Sequence, residues 1–217
     1  MNGKWFCLLI GASLVLVQMA RADEAAFVTD TQEARPNYLA IDAKPAPEQP
    51  AEPFAKGTWA LQFTGSYISG SDASLTDSLG EGGSGNVGVG YFLFKNVGVY
   101  GELVGYGFDK KDWTGDDAWG GGLNMLLRWH FLSFDRWSIY ADGGGGIIEF
   151  EDEFPSGGTH FNFTGRVGLG ASIRLAHNLH LIGGARYLHI SNAAIHGVER
   201  NPGFDSMEYY TGLMFTF

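Results

Sequence analysis

The feature that most constrains this chain is a regular alternation of apolar and polar residues along extended segments. Residues 160–175, "HFNFTGRVGLGASIRL", show it well. Their odd positions hold apolar or small side chains, and their even positions include His160, Asn162, Arg166 and Arg174. Successive side chains of a strand point to opposite faces, so this segment predicts a strand between two unlike environments.

The same pattern recurs along the chain and predicts eight strands. Seven have a clear apolar face, whereas residues 97–108 are mixed and leave the facing of that strand open. Short connections are expected at 95–96, 132–136 and 176–178. Longer polar connections are expected at 70–84, 109–117, 151–159 and 192–205. Strict alternation of short and long connections is typical of an antiparallel up-and-down transmembrane β-barrel, an all-β fold.

The polarity of the two faces favours a membrane barrel over a soluble one. The apolar face carries large aromatics near strand ends, including Trp59, Tyr67, Trp129 and Trp137. Such residues form girdles at bilayer interfaces. The other face mixes small residues with charges, which predicts a narrow polar interior. A soluble lipocalin-like barrel shares the alternation and is the alternative fold, but it would need an apolar set large enough to fill its interior.

The two ends of the chain indicate export to an outer membrane. Residues 1–22 have a basic start at Lys4, an apolar run and a small-x-small sequence ending at Ala22, which predict a cleaved signal peptide. The run is short for a membrane span of about 20 residues. The chain ends in "LMFTF", and an aromatic last residue resembles the sorting signal of outer-membrane barrels.

Composition divides the exported part in two. Five of the seven prolines lie between Pro36 and Pro53, so residues 23–56 are predicted to form a flexible tail and residues 57–217 the barrel. The single cysteine, Cys7, would leave with the signal peptide, which excludes a disulfide or thiolate nucleophile in the mature chain.

Charge and motifs narrow the function classes. The net charge is −10 and no basic stripe is present, which argues against nucleic-acid binding. Glycines recur within strands rather than in a phosphate-binding loop, and the six histidines lack metal-ligand spacing. No cofactor or metal is expected.

Three polar residues break the apolar outer face at one end of the barrel. His189 and Ser191 share the parity of Leu181 and Tyr187 in the seventh strand, and Asp205 has the parity of Met207 in the eighth. Residues i and i+2 of a strand lie about 6.8 Å apart on one face. Each residue alone would be an ordinary polar side chain near the head groups. Together they form the combination of nucleophile, base and orienting acid that serine hydrolases use.

The segments "HISNA" and "NPGFDS", followed by an aromatic terminal strand, resemble the lipid A 3-O-deacylase family of the PagL type. The close resemblance covers residues 186–217. It implies that Ser191 is the nucleophile, His189 the general base and Asp205 the acid. It also implies that Asn201, with Gly203 in the same element, supports the oxyanion.

Two features depart from the family pattern. Better-known members carry Glu where Asp205 stands, one methylene longer, and their loop is slightly shorter. Glu199 in the loop is therefore an alternative acid, whereas Glu208 has lumen parity and is a poor candidate. Asn192, beside Ser191, is a second candidate oxyanion donor, although asparagine is also a common turn residue.

The expected function is therefore a carboxylic ester hydrolase in the outer membrane. It would remove an ester-linked acyl chain, at position 3 by the resemblance, from lipid A of lipopolysaccharide in the outer leaflet. A non-enzymatic structural or adhesin-type barrel is the alternative, and an acyltransferase or phospholipase with the same triad is another. Whether the barrel forms a homodimer stays open.

Overall fold

A computed structural model describes residues 52–69, 81–109 and 117–217. The predicted signal peptide and most of the predicted tail lie outside these residues. Eight antiparallel strands form a closed barrel in which each strand pairs with its neighbours in sequence and β1 also pairs with β8. The strands are β1 Trp59–Ile68, β2 Gly82–Phe94, β3 Val97–Phe108, β4 Ala118–Ser133, β5 Trp137–Phe154, β6 Thr159–Arg174, β7 Leu179–Ser191 and β8 Phe204–Thr216.

The alternation of burial along the strands matches the alternation of polarity. Apolar residues such as Leu127, Val167 and Leu169 are more than half exposed on the outer wall, whereas Arg128 and Arg166 are buried inside. The structure also settles the facing of β3. Its even positions, including Tyr100 and Glu102, point into the barrel. Sequence left this open because β3 carries apolar side chains on both faces.

The two ends of the barrel differ in their connections. At one end, here called the short-turn end, tight turns follow β2, β4 and β6. At the other, the long-loop end, longer connections follow β1, β3 and β7. The predicted long loop at 151–159 is wrong, because β5 continues to Phe154 and only residues 155–158 connect it to β6. Phe154 turns back into the barrel and stacks on Phe150 and Phe108, which holds the strand extended beyond its acidic residues.

The middle of the barrel interior is filled by a charged network. Arg128 and Arg186 both bind the carboxylate of Asp142, each through a contact of 2.9 Å or less. Arg166 lies 3.1 Å from Glu102. Tyrosine rings cover the guanidinium groups, with Arg186 3.9 Å from the ring centre of Tyr210. Pairing and hydrogen bonding offset the cost of removing these charges from water.

The interior is less uniformly polar than the sequence predicted, because an apolar cluster lies on each side of the charged network. The cluster at the long-loop end contains Ile68, Val104, Tyr106, Phe108, Ala118, Ile148, Phe150, Phe154, Leu188, Ile190 and Phe204. The cluster at the short-turn end contains Phe54, Ala60, Phe92, Tyr100, Leu126, Ile182 and Met214. Lumen-facing apolar residues near strand ends therefore pack against one another, and only the central layer is charged.

The packed structure includes residues that the sequence assigned to the tail. Phe54 is 3 % exposed and stacks on His130 with ring centres 3.9 Å apart. Its carbonyl accepts a hydrogen bond from the amide of Asn96 in the β2–β3 turn. Packing against the barrel thus begins before Gly57, because the aromatic side chain directly after Pro53 fills the short-turn end.

No helix in the described part of the chain is long and apolar enough to cross a membrane.

Candidate active site

Strand register brings the candidate histidine and acid together. In the β7–β8 ladder His189 lies directly across from Asp205, and both side chains are on the outer face. Directly opposed residues on one face have Cβ atoms about 4.5–5.5 Å apart. Ser191, two residues beyond His189, is the last residue of β7 and is 9 % exposed. All three side chains therefore meet at the long-loop end of the outer wall.

The distances between these side chains correspond to hydrogen bonds. His189 Nδ1 lies 2.6 Å from Asp205 Oδ1, and His189 Nε2 lies 2.9 Å from Ser191 Oγ. An ionised carboxylate only accepts hydrogen bonds, so Nδ1 carries the proton that is donated to Asp205. Nε2 of a neutral ring then accepts from the serine hydroxyl. This tautomer leaves the imidazole ready to take the serine proton.

Tyr187 also contacts this group, although the sequence did not single it out. The hydroxyl of Tyr187 donates a hydrogen bond to Asp205 Oδ1, the same oxygen that accepts from His189. The sequence did place Tyr187 on the same strand face as His189, because it lies two residues earlier. An interfacial tyrosine is so common in barrels that parity alone did not distinguish it.

The loop after β7 separates the roles of the two candidate asparagines. Asn192 is 1 % exposed and its side chain is fully engaged: the amide donates to Thr159 Oγ1 at 3.0 Å and to the carbonyl of Arg200 at 2.5 Å, while Oδ1 accepts from the amide of Ala194. Asn192 therefore holds the loop together and has no side-chain donor left for an oxyanion. These contacts favour the turn role over the donor role that the sequence also left open for Asn192.

Asn201 has the opposite arrangement. Its Oδ1 accepts a hydrogen bond of 2.9 Å from the backbone amide of Asn192, the residue directly after Ser191. A backbone N–H donates to an oxygen and not to an NH2 group, so this contact identifies the oxygen and the nitrogen of the Asn201 side-chain amide. The Nδ2 end then remains a donor on a side chain that is anchored to the residue after Ser191.

The remaining candidates are placed as follows. A Cβ built on Gly203 would lie 3.3 Å from Cε1 of His189, so glycine lets this segment approach the imidazole closely. Glu199 is exposed in the short 3-10 helix Val198–Arg200, and the acid paired with His189 is Asp205. Glu208 lies in the lumen, 0 % exposed, near Arg166 and Arg186.

Packing behind the strands holds this group in place. Leu188, Ile190 and Phe204 alternate with the outward residues of β7 and β8, and all three are fully buried in the apolar cluster at the long-loop end. Backbone movement of either strand would disrupt that packing, so the register that pairs His189 with Asp205 is firmly set.

Among the residues that the structure describes, no group of three or more His, Cys, Asp or Glu side chains is arranged to hold a metal ion.

Comparison with known proteins identifies the family. The model of the family described as lipid A 3-O-deacylase (PagL) matches residues 84–214, which include all of β3 to β7 and the group around His189. This match spans more than half of the chain. The chain belongs to the lipid A 3-O-deacylase family. Members of that family are outer-membrane barrels that deacylate lipid A, in agreement with the resemblance seen in "HISNA" and "NPGFDS".

Two solved structures share the barrel fold of this deacylase family member, and a third shows a weaker similarity. Neisserial surface protein A is 16 % identical, with 75 % of this chain and 100 % of that chain covered at a TM-score of 0.57. The outer membrane protein OprG from Pseudomonas aeruginosa is 13 % identical, with 76 % and 98 % covered at 0.51. The outer membrane enzyme PagL is 15 % identical, with 70 % and 98 % covered at 0.46. No curated protein sequence matches the chain.

Proposed function

We propose that this protein is an outer-membrane serine esterase that removes the acyl chain ester-linked at position 3 of lipid A. The observation that carries the proposal is the continuous hydrogen-bonded series from Asp205 through His189 to Ser191 on the outer wall. A serine next to a base that is itself oriented by an acid is the arrangement that activates a hydroxyl for nucleophilic attack. Family membership supplies the substrate class.

In the first step, Ser191 attacks the ester carbonyl while Nε2 of His189 takes the hydroxyl proton. Asp205 holds the imidazole in the required tautomer and stabilises its positive charge. The developing oxyanion is stabilised by Nδ2 of Asn201, whose other end is fixed by the backbone of Asn192. The tetrahedral intermediate collapses when protonated His189 gives its proton to the sugar oxygen, which leaves as a free hydroxyl.

In the second step, water attacks the acyl group carried by Ser191. His189 removes a proton from the water and then returns it to Ser191 Oγ as the acyl–oxygen bond breaks, releasing the fatty acid. No atom changes oxidation state in either step, so no redox cofactor is required, and His189 carries out both proton transfers.

The location of the serine suits a substrate that stays in the membrane. Ser191 lies at the long-loop end of β7, and further along the outer wall β6 presents Val167 and Leu169 and β7 presents Leu181. In an exported barrel the short turns face the periplasm and the longer loops the cell exterior. Lipid A in the outer leaflet would then rest its sugars near Ser191 and its acyl chains against this apolar surface.

The test is mass spectrometry of lipid A from cells that express the wild type, Ser191→Ala or Thr211→Val. Thr211 also carries a hydroxyl on the outer wall of β8, but it pairs with Gly183, away from the candidate triad. We expect lipid A lacking one 3-linked acyl chain with the wild type and Thr211→Val, and intact lipid A with Ser191→Ala.

Two outcomes would contradict the proposal. Intact lipid A in all three strains, with each protein folded in the outer membrane, would favour a non-enzymatic barrel. Release of fatty acid by the purified protein from labelled phospholipid, but not from lipid A, would favour a phospholipase.

A further inference from the structure

Tyr187 lies beside the candidate triad through the register of two strands. It pairs with Met207 across the β7–β8 ladder, and the next outward pair is His189 with Asp205. Tyr187 and Asp205 are therefore diagonal neighbours on one face, a separation of about 7–8 Å that a long aromatic side chain can span. Its side chain is 45 % exposed on the outer wall, so the ring is not fixed there by burial alone.

The hydroxyl of Tyr187 makes a specific contact with the acid. It donates to Oδ1 of Asp205, and that oxygen also accepts the Nδ1 proton of His189 at 2.6 Å. A carboxylate oxygen has lone pairs for two donors, so the two bonds are compatible. Hydrogen bonds to an ionised group are stronger than those between neutral groups.

This contact bears on the departure of the chain from its family. Aspartate has one methylene fewer than glutamate, and the side chain of Asp205 is 50 % exposed at the edge of a lipid-facing wall. A carboxylate in that position gains solvation by rotating towards head-group water and away from the imidazole. A second donor on the wall, directed at the oxygen that binds His189, favours the rotamer that reaches the histidine.

We propose that Tyr187 is a positioning residue that holds Asp205 against His189 and thereby lets aspartate serve as the triad acid. This inference rests on the proposed function, because Tyr187 acts through Asp205. It assigns the hydroxyl a role distinct from that of the ring, which any interfacial aromatic residue would fill.

The first test removes only the hydroxyl. Tyr187→Phe keeps the ring, and with it the apolar surface beside Val167, so KM should be nearly unchanged. Only a hydrogen bond to a charged group is lost, which is expected to lower kcat about 10-fold. The rate at which a fluorophosphonate probe labels Ser191 should fall by the same factor, since labelling also depends on the activated serine. Tyr209→Phe is the matched control: it removes another outward hydroxyl, opposite Ala185, and should keep both rates.

The second test asks whether the hydroxyl acts through the acid. Asp205→Glu restores the longer side chain, which reaches the imidazole without help from Tyr187. In that background Tyr187→Phe should change kcat and the labelling rate by less than about twofold. A hydroxyl acting by general stabilisation of the barrel would give the same loss with either acid.

Three results would overturn the inference. The first is a wild-type rate for Tyr187→Phe, and the second is an equal loss in the Asp and Glu backgrounds. The third is an Asp205→Glu variant no more active than Asp205→Asn. The mobility of unheated barrels in gel electrophoresis checks that each variant is folded. Absence of deacylation by the wild type itself would instead reject the proposed function.

Discussion

The lumen and the outer wall use ionisable residues in opposite ways, and β7 contributes to both. Arg186 points inward, fully buried, whereas Tyr187 and His189 on the same strand point outward. In the lumen three arginines and three acids, all at most 4 % exposed, balance one another; they are Arg128, Arg166, Arg186, Glu102, Asp142 and Glu208. On the outer wall Asp205 has no arginine or lysine partner among the residues that the structure describes, and it accepts hydrogen bonds from Tyr187 and His189.

The difference shows what each region can do. Charges that pair with one another in a packed interior are not accessible to a substrate, and their contribution is to fill and fix the barrel. On the wall, Ser191 instead lies within hydrogen-bond distance of His189, which in turn contacts Asp205. The lumen network should therefore govern stability, and the wall residues activity, so each region can be altered with a separate readout.

The largest effect is expected on the wall, from Asp205→Asn. The amide would present a donor to Nδ1, favour the wrong tautomer of His189 and lower kcat by about 10⁴-fold, the loss seen when a triad aspartate becomes asparagine. The free energy of unfolding should change little, because Asp205 is half exposed. Lipid A deacylation by purified protein measures the first quantity and urea unfolding in detergent the second. Glu199→Gln is the control, and a comparable loss there would show that Glu199 is the acid.

A substitution in the lumen should do the reverse: it should lower the free energy of unfolding and leave activity unchanged. Arg186→Met leaves Asp142 with only one of its two arginine partners. It also removes the guanidinium that lies 4.0 Å from Glu208. Breaking a buried pair costs about 3–5 kcal/mol of unfolding free energy. Activity per folded molecule should be retained, because the arginine does not contact the triad.

The matched control for that change is Arg136→Met in the exposed turn before β5, which should alter stability by at most about 0.5 kcal/mol. A loss of activity for Arg186→Met at unchanged stability would remove the distinction between lumen and wall.

A third prediction concerns the donor for the oxyanion. Asn201→Asp keeps Oδ1 to accept from the amide of Asn192 but removes the Nδ2 donor and adds negative charge. Loss of one oxyanion donor lowers kcat by about 10²–10³-fold, with KM less affected. Steady-state kinetics on lipid A measure this. An unchanged kcat would exclude Asn201 from that role.

The smallest effect is expected from Asn192→Ala, the neighbouring asparagine with structural contacts. It removes the hydrogen bonds to the buried Thr159 and to the carbonyl of Arg200, which should lower the unfolding free energy by about 1–3 kcal/mol. The kcat of the folded protein should fall less than in Asn201→Asp. A larger kcat loss for Asn192→Ala than for Asn201→Asp would mean that the two roles are exchanged.

Much of the fold could be predicted because alternation and connection length are local properties. A strand has period two, so the outward facing of His189, Ser191 and Asp205 followed from counting residues. The exception at 151–159 has a physical cause: Glu151, Asp152 and Glu153 suggest a polar loop, but stacking of Phe154 inside the barrel keeps the chain extended. Local polarity does not include such a long-range contact.

The sequence by itself determined the number of strands, which face of every strand except β3 meets lipid, and that a serine, a histidine and an acid share that face. Only the tertiary structure decided that His189 is directly opposite Asp205, that Asn192 is engaged within the loop while Asn201 keeps a donor, and that Tyr187 shares the oxygen of Asp205. The reason is that parity specifies the direction of a side chain, whereas its neighbours depend on the register between strands, which closure of the whole barrel fixes.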